Sequence, residues 1–224
     1  MSTIRRVVCL ANSRKVSGRC IAGKEILPDS CGGWVRPVSA RPSREISEEE
    51  RRYEDGTSAQ VLDVIDIPIV GPVAGGNQAE NFLIDPHECW IKAGVVPRYS
   101  VPRFLDHPES LWKNGSASRD GENDRVRIDA GMVRAGSLYL IAPEQLTLHV
   151  VSENIGVVRL RRRVRGAFWY RGTRYNLVVT DPVVERAFLA KADGGYPLDA
   201  AFVCVSLSEM YSDGYSYKLV ASVI

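Results

Sequence analysis

Between 158 and 179 the chain alternates apolar and polar side chains with a period of two, the pattern of a strand with one buried face. Arg159, Arg161, Arg163, Arg165, Trp169 and Arg171 fall on one face, and Val158, Leu160, Val164, Phe168 and Tyr170 on the other. Arg162 breaks the alternation. With Arg171-Gly172 as a two-residue turn, Trp169 lies opposite Arg174 and Phe168 opposite Tyr175, so both strands put like residues on like faces. The pattern predicts a hairpin with one apolar face and one face of guanidinium and indole groups.

Shorter runs of the same kind predict strands at 6–11, 19–26, 34–39, 60–70 and 80–84, and later at 137–141, 146–151, 202–207 and 217–224. Pro68 restricts the end of the fourth run to an edge or a bulge. Helical signals are few. Ser47-Glu48-Glu49-Glu50 reads as a capping box opening a short helix through about Tyr53, stopped at Asp55-Gly56. A helix is expected over 101–112, broken at His107-Pro108. A third is capped by Asp181, with Pro182 in its first position and apolar residues at helical spacing from Val183 to Ala192. The stretch 113–126 is nearly devoid of apolar residues and reads as one long loop. Strands, one helix, then strands, without βαβ alternation, exclude a parallel α/β sheet.

With 224 residues and a net charge of +2, the chain has length for one large or two small domains, and a nucleic-acid signal must come from uneven charge rather than bulk charge. Cys9, Cys20, Cys31, Cys89 and Cys204 contain no C-x-x-C pair, and His87 beside Cys89 is too little for a zinc site, so reduced thiols and no metal are expected. The first ten residues lack the apolar core of a signal peptide, and no later stretch is long enough to span a membrane. A soluble, cytoplasmic protein is the expectation.

The hairpin's polar face suits a polyanion that carries flat bases. Guanidinium groups neutralise phosphates and release counterions, and an indole offers a stacking surface worth ~1–3 kcal/mol per base. No Asp or Glu lies between Glu153 and Asp181 to offset that charge locally. An edge hairpin guarded by its arginines against aggregation is the plainer alternative, although the five arginines within 159–165 exceed what an edge requires. Arg14, Lys15, Arg19, Trp34 and Arg36 form a smaller candidate surface, its loop closed by Gly18 and able to wrap a phosphate, though without P-loop spacing. Asn123, Asp124 and Arg125 in the long loop either read a base edge or sugar hydroxyl, or close a local turn.

Cys9-Leu10-Ala11-Asn12-Ser13-Arg14-Lys15, Gly18-Arg19-Cys20-Ile21-Ala22-Gly23, Gly33-Trp34-Val35-Arg36-Pro37, Asn123-Asp124-Arg125, Tyr175-Asn176-Leu177, Thr180-Asp181-Pro182, Val205-Ser206-Leu207 and Tyr217-Lys218-Leu219-Val220-Ala221 recur in an order that resembles a bacterial family of dual OB-containing domains. The resemblance spans nearly the whole chain and implies a mainly β fold of two tandem small Greek-key barrels with a few short helices. An OB barrel binds oligonucleotides or similar ligands across one sheet face and its bordering loops. The chain texture changes near 130, so the expected domains are 1–130 and 131–224. The leading expectation is a binding module for nucleic acid, single-stranded by preference, or a nucleotide, without a cofactor. Its site would be Arg159, Arg161, Arg163, Arg165, Arg174 and Trp169, with Arg14, Lys15, Arg19, Trp34 and Arg36 as a smaller second contact surface. One alternative is an enzyme acting on a nucleotide or other phosphorylated small molecule, using Asp124, Arg125 and Asp181, although no H-E-x-x-H or G-x-S-x-G is present and Asp181 reads first as a helix cap. Another is a protein-interaction module for an acidic partner.

Overall fold

The computed structural model describes residues 2–28, 30–73, 78–127, 136–155 and 159–224, with the backbone alone at 154, 155 and 159. The chain divides into two compact units, Met1–Leu105 and Asp106–Ile224. The stretch 106–127, expected with the first domain, therefore belongs to the second.

In the first unit, β1 (Thr3–Lys15), β2 (Gly18–Ile26), β3 (Cys31–Val38), β4 (Asp63–Pro72) and β5 (Asn81–Ile84) form a ring, and β6 (Ile91–Val95) adds to β4. The ring closes because β1 is long enough to serve two neighbours. Its start, from Thr3 to Val8, pairs with β4, and its end, from Val7 to Lys15, pairs with β2. β3 and β5 run parallel, so the antiparallel barrel holds one parallel pair after all. Ile65, Ile67 and Ile69 alternate inward from β4 and meet Val7, Cys9 and Ile21 in a buried core. Pro68, which offers no amide donor, sits just before a register shift between Ile69 and Gly71, the bulge its presence requires.

The second unit repeats the plan. β8 (Leu138–Ile141) pairs with β13 (Val203–Leu207), and after Ala142-Pro143 the chain continues as β9 (Glu144–Ile155), which pairs with β10 (Arg159–Tyr170). β10 pairs with β11 (Thr173–Val179), β11 runs parallel to β14 (Ser216–Val223), and β14 returns to β13. The bent β8 and β9 thus close a second five-membered Greek-key ring. β12 (Gly194–Pro197) lies along the outer edge of β9. Each buried aromatic or aliphatic side chain of the core stabilises the unit by ~1.5–3 kcal/mol through removal from water. Phe168 and Tyr175, opposite one another as the alternation predicts, stack at 5.5 Å. Arg171 and Gly172 both take positive φ, 47° and 72°, as a two-residue hairpin turn demands.

Helices are scarcer than the sequence signals imply. The capping box forms, with the Ser47 amide on Glu50 Oε2 at 2.7 Å and the Glu50 amide on Ser47 Oγ at 3.2 Å, yet only a turn follows. Arg52 and Tyr53 leave it to bridge with Ser58 and Trp90. The stretch 101–112 is not an α-helix either: a 3-10 helix occupies Arg98–Phe104, and an irregular stretch with bends at 109–112 follows. α1 (Pro182–Leu189) forms as expected, its first amides, those of Val183 and Val184, capped by Asp181 Oδ1 at 2.9 and 3.2 Å.

Candidate nucleic-acid interface

The register of β9, β10 and β11 decides what shares the arginine face. Glu153 lies opposite Arg161, Val151 opposite Arg163 and His149 opposite Arg165, while Arg174 lies opposite Trp169. The side chain of Arg159 lies outside the described residues. The sheet therefore supplies the acid that the local sequence lacks. Glu153, itself buried, takes Arg165 Nε on Oε1 and stands 3.5 Å from Arg163 Nε through Oε2. Arg165 is only 5% exposed, donates to Asn176 O at 3.3 Å and has Asp124 Oδ2 at 4.0 Å. Arg165 is thus a structural ion and not a surface contact, a correction to its expected role. A carboxylate bridging two guanidinium groups offsets the desolvation that would otherwise make either one costly here.

Arg162 faces the other way because the alternation assigns it to the apolar side, beyond the end of the core. There its guanidinium donates to Leu189 O at 2.8 Å and Lys191 O at 2.6 Å and pairs with Asp193 Oδ1 at 2.9 Å. It satisfies carbonyls at the C-terminus of α1, where positive charge also opposes the helix dipole.

The long loop is a built element. Glu122 and Asn176 exchange backbone hydrogen bonds, and Arg125-Val126, as β7 (Arg125–Val126), pair with Tyr217 and Ser216 of β14. The loop thereby fills the gap where β11 and β14 diverge. Asn123 Oδ1 accepts the Gly115 amide at 2.7 Å, and its Nδ2 donates to Arg174 O at 2.9 Å. Asp124 accepts the Ser118 amide at 2.7 Å and the Ser118 hydroxyl, and a Cβ on Gly121 would collide with its carboxylate. Asp124 thus closes the loop on itself, while Asn123 also ties it to β11 at Arg174. Asp181 is spent as the α1 cap and also accepts the Val223 amide at 3.3 Å through Oδ2; burial pushes its carboxyl above the ordinary range against the pull of those amides.

Among the described residues, Trp169, Arg171 and Arg174 stand exposed at the hairpin tip. Trp169 is 41% exposed. Arg174, across the pair, holds Glu122 at 3.3 Å with both side chains about half exposed. Arg171 donates to His107 O at 3.4 Å and makes no ion pair with a described residue. Arg161, further down β10, is exposed and likewise without a carboxylate among the described residues.

The smaller surface does not assemble. Arg14 faces Arg19 across the β1–β2 turn, with Lys15 opposite Gly18, whereas Trp34 pairs with Lys24, whose ammonium lies 5.4 Å from the indole. Arg19 and Lys24 stand five positions apart along β2, roughly 17 Å at strand rise. Arg36, 1% exposed, pairs with Glu80 at 3.2 Å and meets Asn81 Oδ1 at 3.4 Å, so it too is withdrawn from the surface. Among the described residues no group of three or more His, Cys, Asp or Glu could hold a metal, and no helix is long and apolar enough to cross a membrane.

One buried titratable group is not among the candidates the sequence offers for a site. Lys218 shares the inward parity of Val220 on β14, is 1% exposed, and donates to Lys113 O at 3.0 Å and Asn114 Oδ1 at 2.8 Å. Burial lowers its ammonium from 10.5 to about 7, against the opposing pull of Asp124. A lysine in step with core residues was the available signal.

Two closed barrels of the same strand order, one after the other, are what the family resemblance implies. A model of the dual OB-containing domain matches residues 5–223. The chain belongs to that family. None of the curated proteins matches it. Among the described residues of the second barrel, the tip of β10 and β11 carries exposed Trp169, Arg171 and Arg174, and Arg161 is exposed further along β10.

Proposed function

We propose that this dual OB protein is a binding module for single-stranded nucleic acid or a nucleotide, with the β10–β11 tip as its contact. Trp169 stacks on a base while Arg171 and Arg174 hold the adjoining phosphates, and Arg161, eight residues along β10 and roughly 27 Å away at strand rise, supports a longer strand. One observation carries the reading: a tryptophan outside the buried core stands 41% exposed on a two-stranded tip directly opposite an arginine. Arg163 and Arg165 contribute rigidity rather than contacts, because Glu153 occupies them.

A titration of labelled single-stranded oligonucleotide tests this. Binding should weaken steeply as salt rises and drop about tenfold or more in Trp169→Ala, the loss of one stacked base. Equal affinity in the variant, or no binding at low salt, refutes it. A second reading, an acidic protein partner, is favoured by the way this face already takes the carboxylates of Glu122, Asp124 and Glu153 from its own chain. Binding of an acidic peptide that oligonucleotide fails to displace would point there.

A further inference from the structure

A second cluster of cations and rings lies in the same unit, on the turn between β13 and β14 and the end of β7. Arg125 and Arg127 both rest on the ring of Tyr215, their guanidinium carbons 4.3 and 4.9 Å from its centre. Two like charges converge on one side chain; neither forms a salt bridge among the described residues, although the Asp213 carboxylate feels the charge of Arg125 and Arg127 hydrogen-bonds the Tyr215 side chain. Arg125 Nε donates to Ser116 Oγ at 3.2 Å, which adds a hydroxyl to the group. The carboxylate of the turn, Asp213, is engaged in holding it: Oδ1 accepts the Tyr215 amide at 3.0 Å and Oδ2 the Tyr217 hydroxyl at 2.6 Å.

The turn is firmly built. Tyr211 and Tyr215 are joined by an amide-to-carbonyl bond of 2.8 Å, Gly214 donates to Tyr211 O at 3.0 Å from a positive φ of 78°, and the Tyr217 amide donates to Ser208 Oγ at 2.8 Å. On this frame Tyr211 stands 58% exposed, edge-on to Tyr217 at 5.3 Å. An open tyrosine ring, paired through its backbone with the tyrosine that carries two guanidinium groups, matches a ligand with one flat part and one anionic part. Arginine forks bind phosphate oxygens in pairs of charge-assisted hydrogen bonds, and a tyrosine face stacks any base.

We propose that Arg125, Arg127, Ser116 and Tyr215 form a phosphate site and Tyr211 a neighbouring base platform, together taking a phosphate attached to a nucleoside. The site is separate in sequence from the hairpin tip, and it stands whether or not the tip binds.

Calorimetric titration of the full chain at low salt with adenosine, adenosine monophosphate and oligo(dA) tests it. Adenosine monophosphate or oligo(dA) should bind about tenfold more tightly than adenosine, the ratio one charge-assisted hydrogen bond supplies. Preference for the mononucleotide assigns a free nucleotide, and preference for oligo(dA) a strand. Arg127→Gln should abolish the advantage of the phosphate, Tyr211→Ala should weaken both phosphate-bearing probes, and in Trp169→Ala adenosine monophosphate should bind as in the native chain. Equal binding of adenosine and its monophosphate, no binding of any probe, or full phosphate preference retained in Arg127→Gln overturns the proposal. Loss of oligo(dA) affinity in Trp169→Ala alone bears on the tip and leaves this site standing.

Discussion

Replacing Lys218 with Met should change how stability depends on pH in a defined direction. The native ammonium is held at about 7 against an ordinary 10.5, so between those values the unfolded chain is protonated at this position and the folded chain is not. Stability of the native protein therefore rises with pH across that window, and the full penalty for the buried charge is present below it. At about 1.4 kcal/mol per pH unit, the difference corresponds to on the order of 5 kcal/mol between the two ends. Met fills a similar volume without an ionisable group, so the variant lacks this dependence. It also leaves Lys113 O and Asn114 Oδ1 without their donor, which returns ~1–3 kcal/mol. Denaturant unfolding at pH 7, 8 and 9 reads the effect as the difference between native and variant. The variant should be the more stable at pH 7, and the gap should close as pH rises. A constant gap over that range would show that Lys218 is not titrating in the fold and would refute the account of its burial.

Other outcomes follow from the same geometry. Glu153→Gln removes the carboxylate shared by Arg163 and Arg165 and should cost ~3–5 kcal/mol in denaturant unfolding, because the buried Arg165 loses the nearer of its two counter-charges. Asp181→Ala removes the α1 cap and should cost ~0.5–2 kcal/mol by the same measurement. Gly121→Ala drives a Cβ into the Asp124 carboxylate and should lower the Tm of the second unit measurably. Trp169→Ala, at an exposed position, should leave the Tm within error of the native value.

Alternation along the chain was enough to place the hairpin turn and its register, since a period of two admits few pairings once one face must be buried. Trp169 opposite Arg174 and Phe168 opposite Tyr175 were legible for that reason. The charge on the hairpin's polar face was not, because its counter-ions arrive from across the sheet and from the long loop: Glu153, Asp124 and Glu122 are distant in sequence from the arginines they meet. Arg162 looked like a lapse in the pattern and is instead the clamp on α1, visible only once the helix is placed. Composition made 113–126 a loop, yet its backbone joins β11 and β14, which shifted the domain division from near 130 to Leu105/Asp106. The Ser47 capping box shows the reverse limit. Its local hydrogen bonds form, but the bridges made by Arg52 and Tyr53 override the helix it would begin.

The salt dependence of single-strand binding, compared between the native chain and Arg171→Gln/Arg174→Gln, tests the proposed ligand most directly. If the two guanidinium groups at the tip hold phosphates, the slope of log affinity against log salt should become shallower by ~0.7 for each phosphate that is no longer neutralised. An unchanged slope, with affinity also unchanged, would contradict phosphate binding at the hairpin tip.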